Sequence, residues 1–214
     1  MKNKIFKFPS NYSSIPVPEK FFEDYFNTLS KLVNSIDKKL IKKIYTILDK
    51  IIKKKGNIIV AGNGGSASIA NHFMCDFNKG VKISSQKKVF PKVISLSNSP
   101  ELITAIANDI GYEEIFTSQI ENYLTKNDCV FIISSSGTSP NILKLINYCK
   151  DKKVKIILLT GFLSKKNKHK LSVHIDIGCK NYGLTEDIFS SIMHMISQYM
   201  KLRYQNKNEI IWEW

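Results

Sequence analysis

Two side chains that could do acid–base or metal chemistry stand four residues apart in the first half of the chain. His72 and Asp76 follow a predicted helix start at Ser66, and their spacing puts both on one face of that helix. An imidazole beside a carboxylate can transfer protons or bind a divalent cation. The pair predicts a catalytic or metal site, with a structural, partly buried histidine as the alternative reading of His72.

A glycine-rich turn lies directly before this helix. The apolar run 57–61 leads into Gly62, Asn63, Gly64 and Gly65. Glycines let the backbone approach a ligand, and the free N–H groups and dipole of a helix N-terminus attract anions. We therefore expect this turn to contact a phosphate or carboxylate group.

A second polar turn runs from Ser134 to Ser139 with the sequence SSSGTS, after the apolar run 130–133. Pro140 then opens a helix at its first turn. Hydroxyls and backbone amides at a helix N-terminus form a phosphate cradle, and the GK[ST] of a Walker loop is missing. A lone serine-rich turn is often only a helix cap. Six such residues after a buried strand favour phosphate binding.

The elements that must position these turns alternate along the chain. Short apolar strands between helical segments are typical of a parallel sheet covered on both faces, so we predict an α/β fold with three αβα layers. Ligands bind such a sheet beyond the carboxyl ends of its strands, where both turns lie. The predicted strands are 57–61, 92–96, 130–133, 154–159 and 173–177, and the predicted helices are 19–33, 40–51, from 66 onward, 101–107, 113–124, 140–150 and 185–204.

Length and composition set the remaining bounds. The 214 residues, 43% of them hydrophobic, suit one domain over 19–214, preceded by an extended arm over 1–18. The net charge of +14 would attract nucleic acid, anionic lipid or phosphorylated metabolites. Because the lysines are spread over helix faces with few interleaved aromatics, we expect a solvated surface and no nucleic-acid partner.

Cysteine usage and hydropathy indicate the compartment. The four cysteines lack CxxC spacing and lie in helix-like or strand-like segments, so we expect reduced thiols, mostly in the core. No apolar run approaches the roughly 18 residues of a membrane span, and the N-terminus lacks the apolar core of a signal peptide. A soluble cytoplasmic protein without a membrane partner is expected.

Taken together, these motifs resemble the SIS-domain phosphoheptose isomerases. The similarity is carried by GNGGSA at 62–67 with His72, LITAIANDIGY at 102–112, SSSGTSP at 134–140, Thr160-Gly161 and the helix 186–194. It implies a flavodoxin-like sheet and an intramolecular oxidoreductase that interconverts sedoheptulose 7-phosphate and D-glycero-D-manno-heptose 7-phosphate through an enediol. It also implies a homotetramer with active sites at subunit interfaces.

The resemblance also implies residue roles. Asp76 and His194 fall at the catalytic positions, and some members bind Zn²⁺ through positions that match His72, Asp76, Glu186 and His194. The phosphate contacts match Ser134, Ser136 and Ser139. The further substrate-binding positions are Asn63, Gly64, Gly65, Ser66, Asn98, Ser99 and Glu186.

The chain departs from the family at several of these positions. Asp76 replaces a glutamate and Glu186 a glutamine, although both remain able to bind a metal; Ser99 replaces an aspartate, and Phe189 replaces a second histidine. Asp76 is therefore either the base or mainly a metal ligand, which would leave Glu186 as the base. Glu186 and His194 stand about 12 Å apart along an ideal helix. One ion would reach both only if the side chains lean together or two subunits contribute.

Structural alternatives remain for two of these residues. His194 lies between two methionines, as a core residue would, and Glu186 suits the first turn of a helix. The pattern of Cys75-Asp76 with Asn181-Tyr182-Gly183 and Glu186-Asp187 resembles a side branch associated with surface-polysaccharide heptose rather than the core lipopolysaccharide enzymes. The alternative function is a non-catalytic SIS-domain regulator that binds a sugar phosphate or a protein such as the DnaA initiator.

Overall fold

The computed structural model of the chain describes residues 8–9, 12–163 and 171–205. Half of the expected N-terminal arm lies outside these ranges, and between Tyr12 and Val17 the chain forms neither helix nor strand. The lysine-rich stretch 165–170 is also outside them. Within the described part, no helix has the length and apolar character needed to cross a membrane.

Five parallel strands form one sheet in the order β2-β1-β3-β4-β5. This order is that of flavodoxin-like folds, with the strand order reversing between β1 and β3. All five predicted strands are present, so the expected fold class is confirmed. The strands are β1 Asn57–Gly62, β2 Lys92–Ser95, β3 Cys129–Ile133, β4 Lys155–Thr160 and β5 Val173–Asp176.

Helices cover both faces of this sheet. Two of them precede β1, as the amphipathic pattern predicts, and the last one follows β5. The helices are α1 Pro18–Asn34, α2 Lys38–Lys53, α3 Gly65–Cys75, α4 Lys82–Ser84, α5 Pro100–Asp109, α6 Thr117–Ile120, α7 Pro140–Asp151 and α8 Tyr182–Tyr204, with a π-helix at Asp76–Val81 and a 3₁₀ turn at Tyr112–Glu114.

The strands divide the core into two halves because successive side chains point to opposite faces. Val60 and Phe131 join one cluster, together with side chains of α2, α3 and α8. Ile59 and Val130 join the other, together with side chains of α6 and α7. The result is the expected three-layer arrangement, and it explains why β1 and β3 are apolar almost throughout.

One predicted helix, 113–124, is wrong in extent. The chain instead forms the 3₁₀ turn and the single-turn helix α6. Ile115 and Phe116 are both buried between these two pieces, and the Gln119 side chain donates to the carbonyl of Leu96 at the end of β2. These contacts with the sheet hold the segment in a path that a continuous helix would not follow.

The outer edge of β2 is closed by a side chain. The Asn78 amide in the π-helix donates to the Val93 carbonyl at 2.8 Å and accepts from the Val93 N–H at 3.0 Å. It therefore takes the two backbone bonds that another strand would form at this residue. Edge strands are commonly blocked in comparable ways against pairing with other chains.

Three of the four cysteines are core residues. Cys129, Cys149 and Cys179 are buried, Cys75 is exposed, and all four are free thiols. Burial raises the pKa of the Cys149 thiol to about 12, so this group stays protonated at neutral pH.

Candidate active site

The glycine-rich turn joins β1 to α3 at the carboxyl edge of the sheet, as predicted. Gly64 is exposed at the N-cap of α3, and Ser66 is buried in the first turn. A side chain at Gly65 would overlap the carboxylate of Glu186, which lies against the backbone there. The absence of a Cβ at Gly65 therefore lets α8 bring a carboxylate to the N-terminus of α3.

Helices α3 and α8 pack side by side and run in the same direction. Gly65 meets Glu186 at one end, His72 meets His194 further along, and Asp76 meets Ser197 at the other end. Predicted site residues thus lie at several points along the line between the two helices.

Three of the predicted ligands come together midway along this line. His194 Nε2 lies 3.4 Å from His72 Nδ1, and His72 Nε2 lies 3.7 Å from Asp76 Oδ1. One ligand atom from each residue can be chosen so that all three lie within 4.8 Å of one another. Two imidazoles and a carboxylate form a donor set that could hold a divalent cation.

Asp76 is placed by a change of helix type. It is the first residue of the π-helix that follows α3, and Phe77 behind it is completely buried. Ser197 donates a hydrogen bond to Asp76 Oδ2 at 2.9 Å, which leaves Oδ1 on the side of His72. π-Helical turns are often found at functional sites.

The fourth predicted ligand, Glu186, is not part of this three-residue group among the described residues. Its carboxylate lies at Gly65, eight residues before His194 in α8. The neighbouring Asp187 is already engaged, because Tyr25 donates to it at 2.7 Å. Partial burial and this hydrogen bond raise the pKa of Tyr25 to about 12. Glu186 is thus the carboxylate that faces the glycine-rich turn.

The serine loop follows β3 at the same edge of the sheet. Ser134 Oγ accepts from the Gly137 N–H at 3.1 Å, and Ser136 Oγ accepts from the Thr138 N–H at 3.3 Å. These bonds occupy lone pairs of the two hydroxyls and leave their protons available to a ligand. Ser139 makes no side-chain capping bond at the N-cap of α7.

The serine loop packs closely against the end of β4 and the residues that follow it. Gly137 has φ +65°, and a side chain there would collide with Leu163 and Thr160. The Ser135 carbonyl accepts from the N–H groups of Gly161 and Phe162, whereas the Ser135 hydroxyl is buried with no hydrogen-bond partner in the described structure. A buried, unsatisfied hydroxyl is costly, and a bound ligand or water commonly satisfies such a group.

An amide pair connects the two loops. Asn63 donates to Asn141 at 3.0 Å, and Asn141 donates back at 2.9 Å. Asn141 is completely buried, and the Tyr112 hydroxyl lies 3.5 Å from the side-chain oxygen Oδ1 of Asn63. The glycine turn and the start of α7 are therefore fixed relative to each other.

The two remaining predicted positions lie after β2. Asn98 approaches Met74 Sδ at 3.6 Å, and the Ser99 hydroxyl donates to Glu101 at 3.3 Å as α5 begins. Both belong to the carboxyl edge of the sheet. The structure brings neither into a hydrogen bond with the three-residue group.

Two residues of this site escaped sequence reasoning. Ser197 stands three residues after His194 and hence on the same side of α8, which is a usable signal. Asn141 follows Pro140 in the first turn of α7, but its pairing with Asn63 depends on the approach of two loops that are distant in sequence.

Comparison with known proteins defines the class. The SIS domain family model matches residues 20–161. A phosphoheptose isomerase of Helicobacter pylori (strain Shi470) is 30% identical over 190 residues, which cover 89% of this chain and 97% of that protein. The chain belongs to the SIS domain family, and the expected resemblance to its phosphoheptose isomerases, with the isomerase class that this implies, is confirmed.

Solved structures share the fold. A phosphoheptose isomerase from Francisella tularensis superposes with a TM-score of 0.77 at 22% identity, covering 86% of this chain and 96% of that chain. The phosphoheptose isomerase from Neisseria gonorrhoeae has a TM-score of 0.74 at 19% identity, covering 85% and 95%.

Proposed function

We propose that this protein is an aldose–ketose isomerase that converts sedoheptulose 7-phosphate to D-glycero-D-manno-heptose 7-phosphate through an enediol, in the cytoplasm, for surface-polysaccharide heptose. The observation that carries the proposal is the meeting of His72, Asp76 and His194 beside the glycine-rich turn, on the same sheet edge as the serine loop. The named relative in Helicobacter pylori supports the substrate.

The serine loop is assigned to the phosphate. The hydroxyls of Ser134 and Ser136 accept from loop N–H groups and can therefore turn their protons to phosphate oxygens. Ser139 supplies a third hydroxyl at the N-terminus of α7, where the helix dipole favours an anion. Holding the phosphate here orients the carbonyl end of the sugar towards the glycine turn and α3.

Proton transfer is assigned to the line between α3 and α8. Asp76 Oδ1 takes a proton from C1 of the ketose and returns it to C2 of the enediol, while His194 gives a proton to O2 and takes one from O1. The backbone and amides around Asn63, Gly64, Gly65 and Ser66, with Asn98 and Ser99, are assigned to the sugar hydroxyls. Glu186 at Gly65 is the alternative base if Asp76 serves mainly as a metal ligand.

The three-residue group fits Zn²⁺. Ligand atoms around a tetrahedral zinc ion lie about 3.3 Å apart, given Zn–N and Zn–O distances of about 2 Å. The 3.4 Å from His194 Nε2 to His72 Nδ1 matches this spacing. Asp76 Oδ1 lies nearest the other nitrogen of His72, so the exposed His72 ring would have to turn for one nitrogen to join both partners at an ion. When bound, such an ion would polarise the sugar carbonyl as a Lewis acid. Glu186 would join this set only from another subunit, because its carboxylate lies at Gly65.

A homotetramer is the proposed assembly. Support comes from the separation of Glu186 and His194 and from exposed apolar side chains on α1 and α8, including Phe22, Phe26 and Tyr199. Exposed apolar patches of this kind commonly mark protein interfaces. Light scattering of the purified chain should give four times the monomer mass.

The direct test is turnover in deuterium oxide. We expect purified protein with sedoheptulose 7-phosphate to form the aldose and to incorporate deuterium at C2, at a higher rate with added Zn²⁺ than with a chelator. His194→Ala should abolish both signals, whereas Met195→Ala, its exposed neighbour on α8, should retain them. Sugar-phosphate binding without turnover or exchange would instead support a non-catalytic SIS-domain regulator.

A further inference from the structure

Ser197 is a completely buried hydroxyl at the end of the α3–α8 line. Its Oγ lies 2.9 Å from Asp76 Oδ2 and also 2.9 Å from the carbonyl oxygen of His194. A serine hydroxyl has one proton, so it can donate to only one of these two oxygens at a time.

The carboxylate is the stronger competitor for this proton. The His194 carbonyl lies inside α8, where the N–H four residues later is its regular helical partner. A hydrogen bond to an ionised carboxylate is roughly twice as strong as one between neutral groups. The hydroxyl therefore donates to Asp76 whenever that carboxylate is charged.

This bond decides which oxygen Asp76 presents to the site. With Oδ2 held by Ser197, Oδ1 is the oxygen on the side of His72, 3.7 Å from its Nε2. The Ser197 hydroxyl cannot easily turn towards solvent or a ligand, because it is buried between helices. Phe77, also buried, fixes the backbone on the other side of Asp76.

The same turn of α8 carries both Ser197 and His194. Because the Ser197 hydroxyl is hydrogen-bonded to Asp76, it fixes the carboxylate of the π-helix relative to His194 of α8. The shorter reach of an aspartate suits this arrangement, since an additional methylene would carry the carboxylate about 1 Å further and past the hydroxyl.

We propose that Ser197 is a positioning residue that holds Asp76 with Oδ1 directed at His72 and His194 for metal binding and proton transfer. The proposal rests on the function proposed above, because it concerns the residues assigned there to the metal and the acid–base steps. Outer partners of this kind typically change metal affinity by about 10-fold to 100-fold when removed.

The test measures two quantities on Ser197→Ala. We expect the affinity of the metal-free protein for Zn²⁺, measured by competition with a chromophoric chelator, to fall about tenfold. We also expect kcat on sedoheptulose 7-phosphate to fall by about the same factor. KM should change less than about twofold, because Ser197 touches Asp76 and not the proposed sugar positions.

A matched control and a double variant isolate the contact. Ser191→Ala removes a hydroxyl from the same helix whose hydrogen bond goes to the Asp187 carbonyl, and it should leave zinc affinity and kcat unchanged. Ser197→Ala should have no further effect on zinc affinity in an Asp76→Asn background, where the carboxylate is gone. Ser197→Cys, similar in volume but a weak donor, replaces Ser197→Ala if that variant fails to fold.

The zinc affinities and kcat values of these variants decide whether Ser197 positions Asp76. Unchanged zinc affinity and kcat in Ser197→Ala, or an equal loss of zinc affinity in the Asp76→Asn background, would overturn the positioning role. A wild-type protein that does not bind Zn²⁺ would overturn it as well, whatever its activity. If the zinc measurements come out as expected but sedoheptulose 7-phosphate is not converted, the positioning role stands and the proposed substrate fails.

Discussion

Helix α8 contacts two aspartates on neighbouring helices, and these carboxylates differ in how fully they are satisfied. Asp49 of α2 accepts from Arg203 at 2.9 and 3.1 Å, from Tyr204 at 2.7 Å and from Lys53 at 2.8 Å. Asp76 accepts from Ser197 at 2.9 Å, with His72 at 3.7 Å. A saturated carboxylate holds helices together, whereas one with an open oxygen is available to a ligand.

Electrostatics sharpens the contrast. The hydrogen bond from Arg203 holds the pKa of Asp49 well below its usual range, and those from Lys53 and Tyr204 add to the effect against an opposing contribution from burial. Asp49 therefore stays ionised over the physiological range and has no free oxygen for chemistry. We expect substitution at Asp49 to reduce stability and substitution at Asp76 to reduce activity.

The largest expected effect is on catalysis. Asp76→Asn should lower kcat on sedoheptulose 7-phosphate by about 10³-fold, because an amide cannot take a proton from carbon and general acid–base groups contribute about 10²–10⁴. Steady-state assays of the purified variant would measure this. The midpoint of thermal unfolding should move by less than about 2 °C, since Asp76 has one hydrogen bond to lose within the described part of the chain. Full activity in this variant would remove Asp76 from the mechanism.

The second change should act on stability alone. Asp49→Asn replaces a charged acceptor of four hydrogen bonds, so the free energy of unfolding should fall by about 2 kcal/mol. For a chain of this size the thermal midpoint should fall by about 5 °C. Urea unfolding followed by circular dichroism measures the first quantity and calorimetry the second. A reduced kcat at 25 °C in the folded variant would contradict the division between the two aspartates.

The position of a third carboxylate, that of Glu186, can be tested through Gly65. Gly65→Ala puts a methyl group where the Glu186 carboxylate lies, so Glu186 must move away from the N-terminus of α3. We expect kcat/KM to fall about tenfold, because a displacement of about 1 Å is enough to impair a group that orients the substrate. Zinc affinity should stay unchanged, because Glu186 lies outside the three-residue group of this subunit.

Ser68→Ala serves as the control for Gly65→Ala, since Ser68 is exposed in the same helix. Equal activity in Gly65→Ala and the wild type would exclude a role for the position of Glu186. A parallel loss of zinc affinity would instead place Glu186 at the metal, supplied across a subunit interface.

The smallest effect is the pH dependence of the stability difference. Because the folded pKa of Asp49 is depressed, its contribution is fully present above the unfolded value of about 4 and is lost as the pH falls through the folded value. The gap in unfolding free energy between wild type and Asp49→Asn should therefore be constant from about pH 5 to 7 and shrink below about pH 4. A gap that instead widens on acidification would show that Asp49 is not the group responsible.

Local patterns in the sequence suffice for much of this architecture. The apolar runs locate all five strands, and the four-residue spacing of His72 and Asp76 correctly brings the two side chains together, although Asp76 belongs to the π-helix after α3. The eight-residue spacing of Glu186 and His194 agrees with their positions at different points along α8. These features depend on short-range periodicity, which a single sequence contains.

Other features depend on contacts between distant segments. The 113–124 segment has a helical pattern, but burial of Ile115 and Phe116 and the reach of Gln119 to β2 break it into short turns. The π-helix after Asp76 likewise depends on where Phe77 fits in the core. Neither outcome follows from local preference, because tertiary packing overrides weak propensities.

The amide of Asn78 occupies the outer edge of β2 at Val93, and this contact limits how the sheet can pair with another chain. With both backbone groups of Val93 already engaged, the sheet cannot extend at this residue into a neighbouring molecule. The wide helical turn that begins at Asp76 thus places two polar side chains, the Asp76 carboxylate beside His72 and the Asn78 amide at the sheet edge.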